Sequence, residues 1–250
     1  MKINSDINVL GGLPDFDLVN YFLFQNNAFK ATIPDHYTYT AIKTDESVRR
    51  FERAILGTLI KFKSENIKDL IKSVLLAEST SPNSMLFLFW NASVNNELLH
   101  YLNSKVYFPA FYSGRFIIKK EEASACIIEL KETEPIVRDW SIGTVETVGR
   151  KYLTLLKKFN LLEGSLNKKI VHPYLSDKMF VLFIYWLNAI EQNTNLLKSD
   201  FIKYCFCEHQ VFLERVLHRK FLTYFDLTYT GDKLKIETSI PYIDIYDAVK

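Results

Sequence analysis

The sequence contains few of the residues that cross-link or interrupt a chain. Its 250 residues include only 3 cysteines, 8 glycines and 7 prolines. Cys126, Cys205 and Cys207 are odd in number and lack the spacing of a disulfide framework, which favours a reduced, cytoplasmic compartment over secretion. With 48% hydrophobic and 14% aromatic residues, the composition excludes a disordered chain and is sufficient for a large core.

No segment has the character of a secretory leader or of a membrane span. The start, MKINSDINVLGG, lacks an apolar stretch after Lys2, so we expect no signal peptide. The longest apolar run, Met179 to Ile190, has 12 residues, whereas a membrane-spanning helix needs roughly 20. We therefore expect a buried core helix there and no membrane partner.

The motifs of common catalytic and cofactor sites are also missing. The sequence contains no G-x-x-x-x-G-K, G-x-G-x-x-G, G-x-S-x-G or H-E-x-x-H pattern. Cys205, Cys207 and His209 form a C-x-C-x-H row, but a structural zinc site usually has four ligands and a wider cysteine spacing. We expect no catalysis, no metal and no cofactor.

What the sequence does contain is helical periodicity. Apolar residues recur at spacings of three and four from Val48 to Phe62 and again from Ile67 to Leu75, where Ser64 can cap the second helix. Residues 121–133 predict another helix, with Ala125, Ile127 and Ile128 on its buried side. The first 40 residues predict short irregular pieces with one short helix. Strand signals are limited to 112–119, which could equally be an extended turn, to 170–171, and to a hairpin around Gly231.

The fold class predicted is therefore mainly α, with two helical units. Pro135 and the polar stretch before it mark the expected boundary. The first unit is an N-terminal helical domain, residues 1–135, and the second is residues 136–250. We expect the second unit to contain a winged helix-turn-helix at 136–174, a helical remainder and a short C-terminal β-hairpin.

Positive charge is concentrated in one part of the chain. The net charge is only +2, with 15 Lys and Arg against 16 Asp and Glu up to residue 135 and 16 against 13 beyond it. Between Arg138 and His172, however, seven basic residues stand against three acidic ones. Lys119-Lys120 is followed at once by Glu121-Glu122, which is typical of an exposed helix start. The basic residues around His218 predict either an auxiliary phosphate contact or a solvated helix face.

The helix predicted from Ser141 to Phe159 lies within this basic region. Its apolar positions are Val145, Val148, Tyr152, Leu155, Leu156 and Phe159, so one face is buried. Ser141 or Thr144 can cap its start. On the other faces Thr, Arg and Lys dominate, and these residue types read base edges and bind phosphates.

The residues after this helix complete a candidate DNA interface. Gly164 predicts a turn, and Lys168-Lys169 leads into strand-forming residues, so Leu161 to His172 is typical of a β-hairpin wing. An ordinary solvated helix face, or a winged helix that docks a protein, would have the same pattern. The candidate DNA-binding residues are Ser141, Thr144, Thr147, Arg150, Lys151, Lys157, Lys158, Lys168 and Lys169.

The order of several stretches resembles the BrxA family of the BREX bacteriophage-defence systems. These stretches are FLFWNAS, ELLHYLNSKV, GRFIIKKEEASACIIEL and WSIGTVETVGRKYLTLLKKFNLLEG, and they lie between Val48 and Tyr174. The most specific parts are the Trp140-Ser141-x-x-Thr144 start and the Leu161-Leu162-Glu163 end.

The resemblance implies a small, mostly helical, non-enzymatic cytoplasmic protein that binds double-stranded DNA. It also implies a gene beside those for a methyltransferase, an ATPase and a phosphatase-like protein, with other BREX proteins as further partners. The residues proposed for DNA contact rest on the pattern and not on the family. A protein scaffold or adaptor that uses the winged helix and a transcriptional regulator are the alternatives.

Overall fold

The computed structural model describes residues 3–25, 44–191 and 195–249. It is mainly helical with small antiparallel sheets, as predicted. Two of its helices lie before residue 26, where one short helix was predicted, and residues 26–40 of the stretch predicted to be irregular lie outside the described residues. The helices are α1 (Asp6–Leu10), α2 (Asp17–Gln25), α3 (Asp45–Ala54), α4 (Glu65–Glu78), α5 (Pro82–Asn95), α6 (Glu97–Leu102), α7 (Phe108–Tyr112), α8 (Lys120–Leu130), α9 (Pro135–Arg138), α10 (Ile142–Lys158), α11 (Asp177–Glu191), α12 (His209–Val216) and α13 (Ile245–Ala248).

Shorter segments complete the secondary structure. The strands are β1 (Ile117–Ile118), β2 (Leu162–Glu163), β3 (Lys168–Ile170), β4 (Phe225–Tyr229) and β5 (Leu234–Thr238). π-Helical turns at Ile55–Leu59 and Asn103–Tyr107 continue α3 and α6, and 3-10 turns occupy Leu196–Lys198, Ile202–Cys205 and Arg219–Phe221. By its internal contacts the chain forms two compact units, residues 1–61 with 79–171 and residues 62–78 with 172–250.

The first unit contains a three-stranded sheet whose strands come from distant parts of the sequence. Its order is β1-β3-β2, and both pairings are antiparallel. β3 is the central strand: Lys169 lies opposite Ile117 on one side and Glu163 on the other. Gly164 turns the chain between β2 and β3 with a φ of +86°, a conformation that favours glycine. Of the two alternatives for residues 112–119, the structure has a short strand, at Ile117–Ile118, and the predicted turn at Gly164 is confirmed.

α10 is held by the buried face that its apolar spacing predicts. All six predicted apolar positions, from Val145 to Phe159, are buried. The Tyr152 hydroxyl donates to Asn103 Oδ1 over 3.1 Å, and Asn103 Nδ2 donates to Ser93 Oγ over 3.0 Å, so this buried polar chain is hydrogen-bonded. The Phe159 ring packs on the rings of Phe16 and Phe89, with centroids 5.7 and 5.6 Å away. The orientation of α10 about its own axis is thereby set.

α8 packs against α10 on a different stripe from the predicted one. Its buried residues include Ala123, Cys126 and Ile127, which follow the three–four spacing of one helix face. Ile127 is therefore confirmed, whereas the prediction is wrong for Ala125, which is exposed, and for Ile128, which is 53% exposed. The buried stripe of α8 therefore runs through Ala123, Cys126, Ile127 and Leu130.

The compact units do not divide at Pro135. α8 and α10 lie on either side of that residue, and a Cβ built on Gly149 of α10 would lie only 2.8 Å from Ser124 Oγ of α8. This close approach groups residues 136–171 with the helices that precede them. The domains 1–135 and 136–250 stay a prediction, distinct from these units.

The second unit is built around α11 and α4. α11 is buried from Met179 to Ala189, which confirms a core helix in the longest apolar run, and none of the described helices is long and apolar enough to cross a membrane. Ser64 caps α4 by accepting from the Ile67 N–H over 3.3 Å, as predicted. β4 and β5 pair antiparallel around Gly231, whose φ is +88°, so the predicted hairpin is confirmed.

The contact between α8 and α10 leads to a stability prediction. We expect Gly149→Val to lower the free energy of unfolding by about 1–3 kcal/mol, because the larger side chain must push α8 and α10 apart. Urea unfolding followed by circular dichroism measures the change.

Gly143→Val is the matched control, since the nearest atom to a Cβ there is Ser141 Oγ at 3.9 Å. We expect the control to change stability by less than about 0.5 kcal/mol. Equal effects of the two substitutions would contradict close packing at Gly149.

Candidate nucleic-acid interface

The start of α10 is a capped first turn without acidic residues. Ser141 Oγ accepts a hydrogen bond from the Thr144 N–H over 3.1 Å, so Ser141 is the cap of the two predicted candidates, and it lies 2.9 Å from Thr144 Oγ1. Ser141 is exposed, while Thr144 and Thr147 are half-buried. Because the Ser141 hydroxyl caps the helix, its first role is to fix where α10 begins.

One flank of α10 is covered by its own chain. A Cβ built on Gly11 would lie 3.0 Å from Lys151 Cβ and closer still to the Lys151 carbonyl oxygen, so the end of α1 packs directly on this flank. Lys158, two turns further along, donates through Nζ to the Leu13 carbonyl oxygen. Of the predicted contacts, Lys151 and Lys158 therefore lie beside the segment that follows α1.

The environment of Lys158 agrees with a structural bond. Burial lowers the pKa of the Lys158 ammonium, and the nearby charge of Lys151 lowers it further, while Asp15 opposes the shift. A cation in this position is already partly withdrawn from solvent and engaged with a backbone oxygen. Any contact with DNA would have to be made by the part of the side chain that remains exposed.

The opposite flank of α10 opens into a cleft of about 530 Å³. Its walls come from β1, the start of α8, the middle of α10 and the turn between β2 and β3. Four basic residues lie among the described lining residues, against the single acid Glu121, over an apolar floor. The lining residues are Ile117, Ile118, Lys119, Lys120, Glu121, Arg150, Leu153, Thr154, Ser165, Leu166, Asn167 and Lys168.

Lys157 is close enough to Lys168, one of the cleft residues, for its charge to act on that side chain. Partial burial lowers the pKa of Lys168, and the charge of Lys157 lowers it further. Lys168 Nζ donates to the Gly164 carbonyl oxygen over 3.2 Å, which holds the side chain along the turn. Lys157 and Lys169 are exposed. A polyanion would relieve this mutual repulsion, because it adds negative charge where positive charge is crowded.

The sequence interpretation missed two residues of this cleft, Lys119 and Lys120. The two acids that follow them are both engaged: Glu121 pairs with Lys120 over 3.8 Å, and Glu122 accepts from the Lys119 N–H over 2.8 Å and pairs with Arg115 over 2.7 Å. The bond from Arg115 is the main reason that the pKa of Glu122 lies below its ordinary value, and burial opposes this shift. The cleft forms because β1 pairs with β3, and this pairing joins residues about fifty positions apart in the sequence. Only a prediction of that pairing could have placed Lys119 and Lys120 beside Lys168.

The second basic cluster, around His218, is engaged within its own unit. Asp177 accepts from Arg215 over 3.1 Å and from Lys220 over 2.5 Å. These bonds, with that from Lys220 the largest cause, lower the pKa of Asp177. The Arg215 guanidinium also lies 4.3 Å from the centre of the Phe180 ring. This pairing favours the solvated-face interpretation over an auxiliary phosphate contact.

The C-x-C-x-H row does not form a metal centre in the described part of the chain. Cys205 Sγ lies 3.1 Å from Cys207 Sγ, but no group of three or more His, Cys, Asp or Glu residues is arranged to hold a metal ion among the residues described.

The position of Glu122 leads to a prediction about pH. Since the pKa of Glu122 is below its ordinary value of 4.5 in the folded protein, its contribution to stability is present above pH 4.5 and is lost as the pH falls through the lowered value. We expect the unfolding free energy to fall less from pH 7 to pH 3 in Glu122→Gln than in the wild type. The difference should be at most about 1 kcal/mol, because the Arg115–Glu122 pair is partly exposed and solvent screens it. Urea unfolding at both pH values measures the difference.

Glu132→Gln is the control, because Glu132 is exposed and caps no helix. The same pH dependence for Glu122→Gln as for this control would show that the Arg115–Glu122 pair does not stabilise the start of α8.

Comparison with known proteins agrees with the resemblance noted in the sequence. The family model described as BrxA matches residues 41–185, which include the whole of the cleft. A search of curated proteins found no match. Because the family match covers more than half of the chain, the protein belongs to the BrxA family, and this membership implies a component of a BREX defence system.

Proposed function

We propose that this protein is a non-enzymatic component of a BREX system that binds double-stranded DNA. The observation that carries the proposal is the cleft beside α10, where Lys119, Lys120, Arg150 and Lys168 converge from three separate segments of the chain. Lys157 and Lys169 extend the same basic surface. Crowded cations with one neighbouring acid are what a phosphate backbone requires of a protein surface.

The order of elements supports a winged helix-turn-helix within residues 117–170. β1 is followed by α8, the short α9, α10 and then the β2–β3 hairpin, and the strands pair in the order β1-β3-β2. In this interpretation α10 is the recognition helix and the turn between β2 and β3 is the wing. The fold element would thus begin before residue 136, because β1 and α8 are part of it.

The two flanks of α10 divide the predicted contacts. Thr147 would face base edges, since threonine can contact a thymine methyl, whereas Arg150, which lines the cleft with Lys168, would bind phosphate. Lys157, Lys168 and Lys169 would bind phosphates and set the register of the protein on the duplex.

Docking of a partner protein is the second candidate function. Phe116, next to the cleft, is 78% exposed and Ile117 is 37% exposed, and exposed apolar residues at one edge of a sheet can mark a protein interface. Salt separates the two candidates. DNA binding through several phosphates weakens steeply as salt rises, whereas apolar docking does not.

A double substitution tests the cleft. We expect Arg150→Ala with Lys168→Ala to weaken binding to a 24-base-pair duplex at least tenfold. It should also reduce the slope of log affinity against log salt by about 2, because about one unit is lost for each phosphate contact. Fluorescence anisotropy titrations at several salt concentrations measure both quantities.

Lys233→Ala with Lys235→Ala is the matched control, since both residues are exposed on the hairpin of the other unit and their loss changes the net charge equally. If both double substitutions weaken DNA binding equally, the effect comes from the change in net charge and not from a defined binding surface. Unchanged binding after the cleft substitutions would refute the proposal.

Neighbouring lysines on α10 provide a second test. We expect Lys157→Ala to weaken DNA binding about threefold or more without changing stability, because Lys157 is exposed on the cleft side. Lys158→Ala should leave affinity within about twofold and lower the free energy of unfolding by about 1 kcal/mol, because it removes the bond to the Leu13 carbonyl. Anisotropy and urea unfolding on both variants give the comparison, and a reversed pattern would place the DNA on the α1 side.

A further inference from the structure

The turn between β2 and β3 presents a leucine to solvent. Leu166 is 96% exposed and is the most exposed large hydrophobic residue in the described part of the chain. Its sequence neighbours Ser165 and Asn167 are polar, as is usual in a turn. A single exposed leucine is ordinary on a protein surface. Leu166, however, lies at the tip of a hairpin within a basic surface, and this location suggests that it contacts a binding partner.

The charges around Leu166 favour a nucleic acid as its partner. Arg150, Lys168 and Lys120 line the same cleft, and Lys157 is near enough to affect the pKa of Lys168. Glu163, at the base of the hairpin, lies opposite Lys169. A protein partner would have to supply an apolar pocket ringed by acids. Duplex DNA supplies both properties, because its phosphates line grooves whose walls are sugars and base edges.

The position of the hairpin tip beside α10 fits the groove next to the one that the start of α10 would enter. Leu166 shares the cleft with Arg150, Leu153 and Thr154, so it lies beside the middle of α10 and not beside its first turn. If the start of α10 occupies the major groove and the cleft cations bind the phosphates beside it, the tip of the hairpin meets the adjacent minor groove.

We propose that Leu166 enters the minor groove and gives the interface a preference for base pairs without the guanine N2 amino group. This inference rests on the proposed DNA binding. The minor groove is about 6 Å wide, which admits a tight turn but not a helix, and leucine is among the apolar side chains that proteins insert there. Leucine offers no acceptor to the N2 amino group, so burying that donor under it is unfavourable.

Inosine substitution tests the contact on the DNA side. Two 24-base-pair duplexes are compared, one with guanine and one with every guanine replaced by inosine, which removes the N2 amino group and leaves the major-groove edge unchanged. We expect the wild type to bind the inosine duplex at least about fivefold more tightly, the factor that corresponds to one unsatisfied donor. Leu166→Ala should reduce this preference to less than about twofold.

Leu76→Ala is the matched control, because Leu76 is 58% exposed on α4 and does not line the cleft. We expect Leu76→Ala to keep the full preference for the inosine duplex. Because the lower stability of inosine duplexes acts on every variant equally, a loss of preference in Leu166→Ala alone reports the contact of Leu166. Melting curves of both variants check folding, and an exposed residue is expected to leave them unchanged.

The outcomes distinguish this inference from the proposed function. Wild-type binding without preference, or a preference that survives in Leu166→Ala, would overturn the minor-groove contact while DNA binding stands. Equal weakening of both duplexes by Leu166→Ala would also overturn it, in favour of an apolar contact elsewhere on the DNA. If the wild type binds neither duplex, the proposed function itself fails, and a protein partner for the exposed leucine becomes the better explanation.

Discussion

The interface between α8 and α10 is the contact on which the candidate site depends. At Gly149 the two helices approach so closely that a single added carbon would lie 2.8 Å from Ser124 Oγ. This contact, together with the buried Tyr152 and Phe159, fixes the rotation of α10. Residues on its remaining faces are then presented in a defined direction, because a packed helix cannot turn about its axis without losing its core contacts.

The same packing explains where the charge of this protein is concentrated. A chain with a net charge of only +2 assembles a strongly basic surface because β1 pairs with β3 and brings Lys119 and Lys120 beside Arg150 and Lys168. Part of this charge is compensated, since Glu121 lies 3.8 Å from Lys120, while Glu122 caps α8 and pairs with Arg115. Partial burial lowers the pKa of Lys168, and the charge of Lys157 lowers it further.

Predictions from the sequence succeeded where the interactions are local. The span of α10, its cap at Ser141 and the turn at Gly164 follow from spacing and residue type within a few positions. They failed at α8, whose buried face was assigned to Ala125 and Ile128, because two rotations of a short helix fit nearly the same apolar residues. They also treated Lys157 and Lys158 as equivalent, although only Lys158 meets the Leu13 carbonyl.

By itself, the sequence determined the helical class, the amphipathic character of α10 and the excess of basic residues from Arg138 to His172, since each depends on side chains close in the chain. Only the tertiary structure decided which cations share a surface. The segments that carry Lys119, Arg150 and Lys168 meet through strand pairing and helix packing, and contacts of such long sequence separation leave no periodic signal along the chain. The exposure of Leu166 at the tip of the hairpin was decided in the same way, because burial is a property of neighbours in space.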